Sequence, residues 1–255
     1  MASLTYLVTG ANRGIGKGLI ASFLSEPRSI VIAAVRDLEH ESSQSLLQLP
    51  RGTDSKLIRV KIDAGDSQSI HNAFEYLIND HGIRSLDIVV ANAGKGGASR
   101  KLHETPLSEM QEYMRINAYG IVELFKSSLP LLVKSEKPTF CAITSGIGTN
   151  NNIDTSLPLA CYATSKLVAN HFIRWLAAEN SGVTTFALHP GLVDTELTKA
   201  TLQDIKKLNP DIDVNLFKLI SVEESAQCLK KLIVASSHEE VHGRFLSHDG
   251  TIIPW

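Results

Sequence analysis

Tyr162-Ala163-Thr164-Ser165-Lys166 sets a phenol and an ammonium four residues apart. The surrounding segment, Tyr162 to Glu179, reads as a helix with an apolar face, and positions i and i+4 of a helix lie one above the other. A cation held close to an acid favours the charged form of that acid. The spacing therefore predicts that Lys166 lowers the pKa of Tyr162 from the ordinary tyrosine value near ~10. A phenol tuned in this way donates or accepts a proton close to neutrality. Taken alone, the same pair is also what an exposed helix face carries as ordinary neighbours. It gains meaning only if other elements build a site around it.

A chain of 255 residues can bury a large core. Its 43% hydrophobic and 20% charged residues are ordinary globular composition, and a net charge of −2 gives no reason to expect nucleic acid or an anionic membrane as partner. Cys141, Cys161 and Cys228 are widely separated with no CxxC pair, so neither a disulfide framework nor a metal site is indicated. The N-terminal stretch lacks the basic region and long apolar run of a secretory signal. No apolar stretch approaches the roughly 20 residues needed to cross a bilayer, and Ile253-Pro254-Trp255 matches no targeting tag. The expected location is cytoplasmic.

Short apolar runs at Tyr6–Val8, Ile30–Val35, Leu57–Ile62, Leu86–Ala91, Thr139–Thr144 and Thr184–Leu188 read as strands. They are β-branched and nearly continuous, as expected when both faces of a parallel sheet are covered. Helical stretches alternate with them at Ile15–Leu24, Glu39–Leu49, Ser67–Asp80, Leu107–Val133 and Tyr162–Glu179, with a later helix at Val222–Ala235. Ser67 is the expected N-cap of its helix, and Ser221 with Glu224 reads as a capping box. The pattern predicts a single α/β domain over residues 1–255: a doubly wound, Rossmann-type parallel sheet with helices on both faces.

The first strand ends in Thr9-Gly10-Ala11-Asn12-Arg13-Gly14-Ile15-Gly16, and a helix opens inside this run. Glycines there permit a tight turn and bring backbone N–H groups to a pyrophosphate at the positive end of the helix. A glycine-rich turn alone is weak evidence; its place between a buried first strand and an amphipathic helix strengthens it.

With its spacing of Gly-x-x-x-Gly-x-Gly, the turn resembles that of the short-chain dehydrogenase/reductase family, and the resemblance extends along nearly the whole chain. Asn92-Ala93-Gly94 matches the family's turn after the fourth strand. Asn117, within Arg115-Ile116-Asn117-Ala118-Tyr119-Gly120, matches its helix asparagine, and Ser145 its serine after the fifth strand. Tyr162 and Lys166 match its Tyr-x-x-x-Lys. Pro190-Gly191, followed by Val193 and Thr195, matches the segment after the sixth strand. The resemblance implies that Gly10, Asn12, Arg13, Gly14, Ile15, Gly16, Asn92, Ala93, Gly94, Pro190, Gly191, Val193 and Thr195 line a nicotinamide dinucleotide, with Tyr162 and Lys166 at its reacting end. Asp63 resembles the family's adenine-contacting aspartate, though it equally suits a cap for the turn before Ser67.

An acidic residue at the end of the second strand usually selects NAD. Here Val35 takes that place and Arg36 follows, while Arg13 adds a second cation, and arginine suits a 2′-phosphate. NADP(H) is the expected cofactor; a one-residue shift in alignment would instead bring Asp37 to the ribose.

The reaction implied is hydride transfer between nicotinamide and a carbonyl carbon. In it Tyr162 is the proton donor, Lys166 tunes the tyrosine and holds ribose hydroxyls, Ser145 (rather than Thr144) hydrogen-bonds the substrate oxygen, and Asn117 holds a water leading from Lys166. The loop Gly146–Pro158 is expected to wall the substrate pocket. The segment 192–219 is expected to form a mobile substrate lobe, with Gly96, Ile147, Leu192 and Leu197 as pocket residues and Leu202 and Phe217 beside them. Gly96-Gly97 suggests either room for a bulky planar ligand or a flexible loop. Cys161 and His189 flank the site in sequence and read as structural.

Asn12-Arg13, Val35-Arg36 and the ending Pro254-Trp255 resemble the carbonyl-reductase-like branch, including fungal ketoreductases of aromatic polyketides. An NADPH-dependent ketoreductase acting on a small carbonyl compound is therefore expected. The family's usual pairing surface around Leu107–Val133 and Tyr162–Glu179 implies a homodimer or tetramer. The alternative is a non-catalytic NADP(H) sensor on the same fold, which has no need of the proton-transfer set.

Overall fold

The computed structural model describes residues 4–98, 100–151, 153–235 and 237–255. Seven parallel strands form one sheet in the order β3-β2-β1-β4-β5-β6-β7. They are β1 (Thr5–Thr9), β2 (Ile30–Val35), β3 (Lys56–Lys61), β4 (Ile88–Ala91), β5 (Thr139–Ile143), β6 (Thr184–His189) and β7 (Phe245–Ser247). Order reverses between β1 and β4, so a crevice opens beyond their C-terminal ends, where open α/β sheets bind ligands.

Both faces of the sheet are buried, and each strand divides its residues between them. Leu7, Ile32, Val89, Phe140 and Ala187 point into one core. Their neighbours Val8, Val31, Val90, Cys141 and Phe186 point into the other. This period of two explains why the inner strands are nearly continuous apolar runs, whereas the edge strand β3 carries Lys56, Arg59 and Lys61. Helices α3 (Ser67–Asn79), α5 (Gly120–Leu132) and α6 (Ala160–Glu179) cover the first face, and α1 (Gly14–Leu24) and α8 (Val222–Ala235) the second. Shorter pieces complete the order: α2 (Glu41–Gln44), α4 (Leu107–Met114), α7 (Glu196–Leu208) and α9 (His238–Val241).

Several boundaries differ from the sequence expectation for identifiable reasons. Asp66, not Ser67, caps α3, because its carboxylate reaches the N–H groups of Gln68 and Ser69. The expected helix at Glu39–Leu49 is one α turn followed by a 3-10 turn over Ser45–Gln48. Ser221 Oγ does accept from the Glu224 N–H, at 3.0 Å. The expected Leu107–Val133 helix is divided by a π-helical turn over Arg115–Tyr119, an insertion that aims its central residue, Asn117, inward. The fourth strand starts at Ile88 rather than Leu86. β7, absent from the sequence reading, has three residues, too few to show a pattern of their own; it exists because β6 pairs with it and Phe245 is fully buried.

Phe140 at the centre of β5 meets Phe125 of α5 edge-on, with centroids 5.0 Å apart, and both are sealed from solvent. Phe140→Ala is expected to lower unfolding free energy by about 3–5 kcal/mol, read by urea denaturation.

Candidate active site

The glycine turn leaves β1 with Gly10 at φ 62° and Gly14 at φ 50°, a region that side chains rarely adopt. A Cβ at Gly16 would stand 2.2 Å from the Gly10 carbonyl oxygen, so that position admits only glycine. Asn92 braces the turn from β4. Its amide donates to the carbonyls of Thr9 and Gly10 at 2.8 and 3.2 Å, and the N–H groups of Asn92 and Ala93 donate to Thr9 Oγ1 at 3.0 Å each. The Asn92 side chain is thus committed to the turn itself. Helix α1 starts at Arg13 with no side-chain cap and no acidic residue in its first turn, leaving its N-terminal N–H groups for an anion.

Around the outer end of this crevice, Val35 is buried and Arg36 exposed. Asp37 turns one carboxylate oxygen onto the Glu39 N–H at 2.9 Å. Asn12 Nδ2 donates to Ser42 Oγ at 2.6 Å, and Ser42 meets His40 Nδ1 at 2.8 Å. Ser42 and His40 carried no sequence signal, because only the fold of α2 brings them beside the turn. Arg13 pairs with Glu196 at the start of α7, 3.6 Å away. Asp63 accepts from the Gly65 N–H at 2.8 Å, as a turn cap does.

Tyr162, Ser145 and Lys166 converge at the ends of β5 and α6. The Tyr162 phenol hydrogen-bonds Ser145, whose hydroxyl also accepts from the Ile147 N–H at 3.4 Å. Lys166 Nζ lies 5.8 Å from the centre of the Tyr162 ring and donates to the Ile143 carbonyl at 3.1 Å. Burial pushes the lysine down to about 8. Burial also raises the Tyr162 phenol above its usual value, with the Ser145 hydrogen bond opposing. The net direction at Tyr162 in the free protein is thus upward, opposite to the lowering that the spacing predicts. Both groups leave water together, and removing a phenolate from water raises its pKa.

Asn117 stands at the centre of the π-turn and is fully buried. Its amide clasps the Lys95 backbone, accepting from N–H at 2.7 Å and donating to the carbonyl at 2.8 Å. It also donates to Ser165 Oγ at 2.9 Å, and Ser165 in turn donates to the Tyr162 carbonyl at 2.7 Å. The amide nitrogen is fully used by these bonds, so the side chain braces the turn after Gly94. A Cβ at Gly94 would sit 3.3 Å from Asn117 Oδ1 and 3.5 Å from Lys166 Nζ. Ser165 was missed by sequence reasoning, although its place inside the Tyr–Lys interval was visible.

A cavity of about 370 Å³ opens in front of Tyr162 and Ser145. Ile15, Pro190, Gly191, Val193 and Thr195 line it, as do the expected pocket residues Gly96, Ile147, Leu192, Leu197, Leu202 and Phe217. Both ends of the Gly146–Pro158 loop reach it through Ile147 and Leu157, and Leu159 follows; Asn152 of that loop lies outside the described residues. Thr144 and His189 also line the wall, so His189 belongs to the site that the sequence placed it beside. The space in front of Gly96 is taken by Leu197, which a Cβ there would meet at 3.0 Å, so it is not free room for a planar ligand.

A model of the short chain dehydrogenase family matches residues 5–206. A short chain dehydrogenase of Penicillium aethiopicum is 41% identical over 254 residues, covering 98% of this chain and 99% of its own. A norsolorinic acid ketoreductase of Dothistroma septosporum is 37% identical over 258 residues, covering 98% and 92%. Among solved structures, the NADPH-bound carbonyl reductase from chicken fatty liver superposes with a TM-score of 0.85 at 25% identity over 100% of both chains. The chain belongs to the short-chain dehydrogenase/reductase family: it is an oxidoreductase that uses a nicotinamide cofactor. No described helix is long and apolar enough to cross a membrane.

Burial holds the His189 imidazole down to about 4, against roughly 6.5 for an unfolded chain. Between those values the unfolded state binds the extra proton, so the stability tied to neutral His189 is complete above about 6.5 and is lost as pH falls toward 4. Denaturation at pH 7, 5.5 and 4.5 is expected to show that loss in the wild type, at up to ~1.4 kcal/mol per pH unit, and a shallower acid limb in His189→Gln.

Proposed function

We propose that this protein is an NADPH-dependent ketoreductase, reducing a ketone carbonyl of an aromatic polyketide or related secondary metabolite. The observation that carries the reading is the convergence of the Tyr162 phenol with the Ser145 hydroxyl on the wall of a largely apolar cavity. A sensor of NADP(H) has no use for that pairing. The name of the Dothistroma relative and the NADPH held by the chicken carbonyl reductase point the same way.

The residues present suit the cofactor. The side-chain-free surface at Gly10, Gly14 and Gly16 and the uncapped start of α1 form a cradle for a pyrophosphate. Arg36, with Asn12 and Ser42 beside the turn, supplies a cation and hydroxyl-binding groups where a 2′-phosphate needs them. Arg13 supplies a second cation once released from Glu196. When bound, NADPH provides the hydride. Ser145 donates a hydrogen bond to the substrate oxygen, stabilising charge as it develops there. Tyr162 gives that oxygen its proton, which a phenol carries at neutral pH. Lys166 stands behind Tyr162, and its charge favours the phenolate left after transfer. Asn117 fixes the Lys95 turn and, through Ser165, the start of α6.

The segment 192–219 serves as a substrate lobe, with Leu192, Leu197, Leu202 and Phe217 as its inner surface. Leu107, Tyr119, Val133 and Trp175 leave apolar surface exposed on α4, on α6 and around α5, and we read that face as the contact of a homodimer in the cytoplasm. A monomer mass independent of concentration in analytical ultracentrifugation would remove the dimer.

Initial rates with NADPH and NADH against aliphatic and polycyclic aromatic ketones test the reading. Tyr162→Phe is expected to lower kcat/KM by about 10²–10⁴-fold. Arg36→Ala is expected to raise KM for NADPH by about 10–100-fold, the loss of a hydrogen bond to a charged group, with little effect on NADH. Tight NADPH binding without turnover of any carbonyl would favour the sensor, and equal rates with NADH would contradict the assignment of Arg36.

A further inference from the structure

Helix α6 carries Tyr162, Lys166 and Asn170 at intervals of four, on one face. Asn170 is not part of the proton-transfer set, yet it is only 2% exposed. Asparagine is a poor helix former, and burying an amide is costly unless it is hydrogen-bonded, so its place there needs a reason. Its Nδ2 donates to the Gly148 carbonyl at 3.0 Å, while its Oδ1 has no partner. Turned the other way, the amide would set oxygen against oxygen, so this single bond fixes the side chain.

Gly148 ends the 3-10 turn Gly146–Gly148, which Ser145 caps. The Gly148 N–H donates to the Ser145 carbonyl at 2.9 Å, and the Ile147 N–H donates to Ser145 Oγ at 3.4 Å. The turn lies directly on the backbone of α6. A Cβ at Gly148 would stand 2.7 Å from the Lys166 carbonyl carbon and 2.9 Å from the Leu167 nitrogen, so only glycine permits this approach. Ser145 follows the end of β5, whereas Tyr162 is carried by α6. The seat of Gly148 on the helix, with the Lys166 bond to the Ile143 carbonyl, joins the two.

Building on the ketoreductase reading, we propose that Asn170 is a positioning residue: by clamping the Gly148 carbonyl to α6, it holds the Ser145 hydroxyl beside Tyr162 at the substrate oxygen. The two contacts of the turn with the helix differ in kind. The missing Cβ at Gly148 lets the turn approach, and the Asn170 amide keeps it there. Ser145 acts on charge that develops in the transition state, where a misplacement of about 1 Å costs on the order of 10²-fold. A serine at the head of a loop needs such a clamp more than Tyr162, which the helix itself carries. Asn170 does not line the cavity, so its effect on the reaction passes through the turn.

The test is a double-mutant cycle on Asn170→Ala and Ser145→Ala, with NADPH in excess and the ketone that the wild type reduces fastest. Asn170→Ala is expected to lower kcat by about 10–10²-fold, with little change in the KM of the ketone or the dissociation constant of NADPH. Once Ser145 is replaced, the same substitution is expected to have almost no further effect. A merely structural role would lower activity by the same factor in both backgrounds. Gly148→Ala, which keeps the amide and lifts the turn from α6, is expected to give the same signature, and it decides the matter if Asn170→Ala does not fold. A second readout needs no turnover. The Tyr162 ¹³Cζ resonance of the cofactor-free protein senses the Ser145 hydrogen bond, and in Asn170→Ala it is expected to move toward its position in Ser145→Ala. Equal losses in the two backgrounds, or an unmoved resonance in the folded variant, overturn the proposal. A moved resonance without turnover of any ketone by the wild type keeps the clamp and overturns ketone reduction, so the two failures are separable.

Discussion

The ammonium of Lys166 is out of water in the middle of the protein, and the site is arranged around that constraint. A buried cation is costly unless it is hydrogen-bonded, and here the Ile143 carbonyl accepts its proton. Gly94 approaches it closely without a side chain, and Tyr162 lies alongside with its ring near the charge. The cost shows as an amine pushed down to about 8. Such strain persists where the surrounding structure holds it in place. The Asn117 clasp on Lys95, its bond to Ser165 and the Ser165 bond to Tyr162 supply that support.

The sheet makes the arrangement possible. Because all seven strands run the same way, their C-terminal ends deliver Thr9, Asn92, Ser145 and Pro190 to one edge. The reversal of order between β1 and β4 opens the crevice there, and the lock between Thr9 and Asn92 holds its two sides in register. Two apolar cores, one on each face, provide the hydrophobic burial that offsets the cost of the buried Lys166 at that edge. The same edge then serves both partners of the reaction, the dinucleotide over the glycine turn and the ketone in the neighbouring cavity.

Much of this was legible in the sequence because it depends on local pattern. Continuous apolar runs gave six strands, and glycine spacing, Asn-Ala-Gly, Tyr-x-x-x-Lys and Pro-Gly marked the edge. What was hidden depends on packing between distant segments. β7 exists by pairing with β6, Ser42 and His40 reach the turn only through the fold of α2, and Leu197 fills the space that Gly96 seemed to leave. The direction of the Tyr162 shift was hidden for the same reason: spacing shows the neighbouring charge, whereas burial is set by the whole site.

The central claim is that burial, rather than the neighbouring cation, governs Tyr162 in the free enzyme and keeps its phenol protonated for reduction. The most direct test is titration of ¹³Cζ-labelled tyrosine by NMR on the cofactor-free protein, with Tyr162→Phe to assign the resonance. The account predicts a Tyr162 signal whose titration midpoint lies above the ordinary tyrosine value of 10.0. A signal titrating near neutrality would contradict it and would show that Lys166 already holds Tyr162 as phenolate.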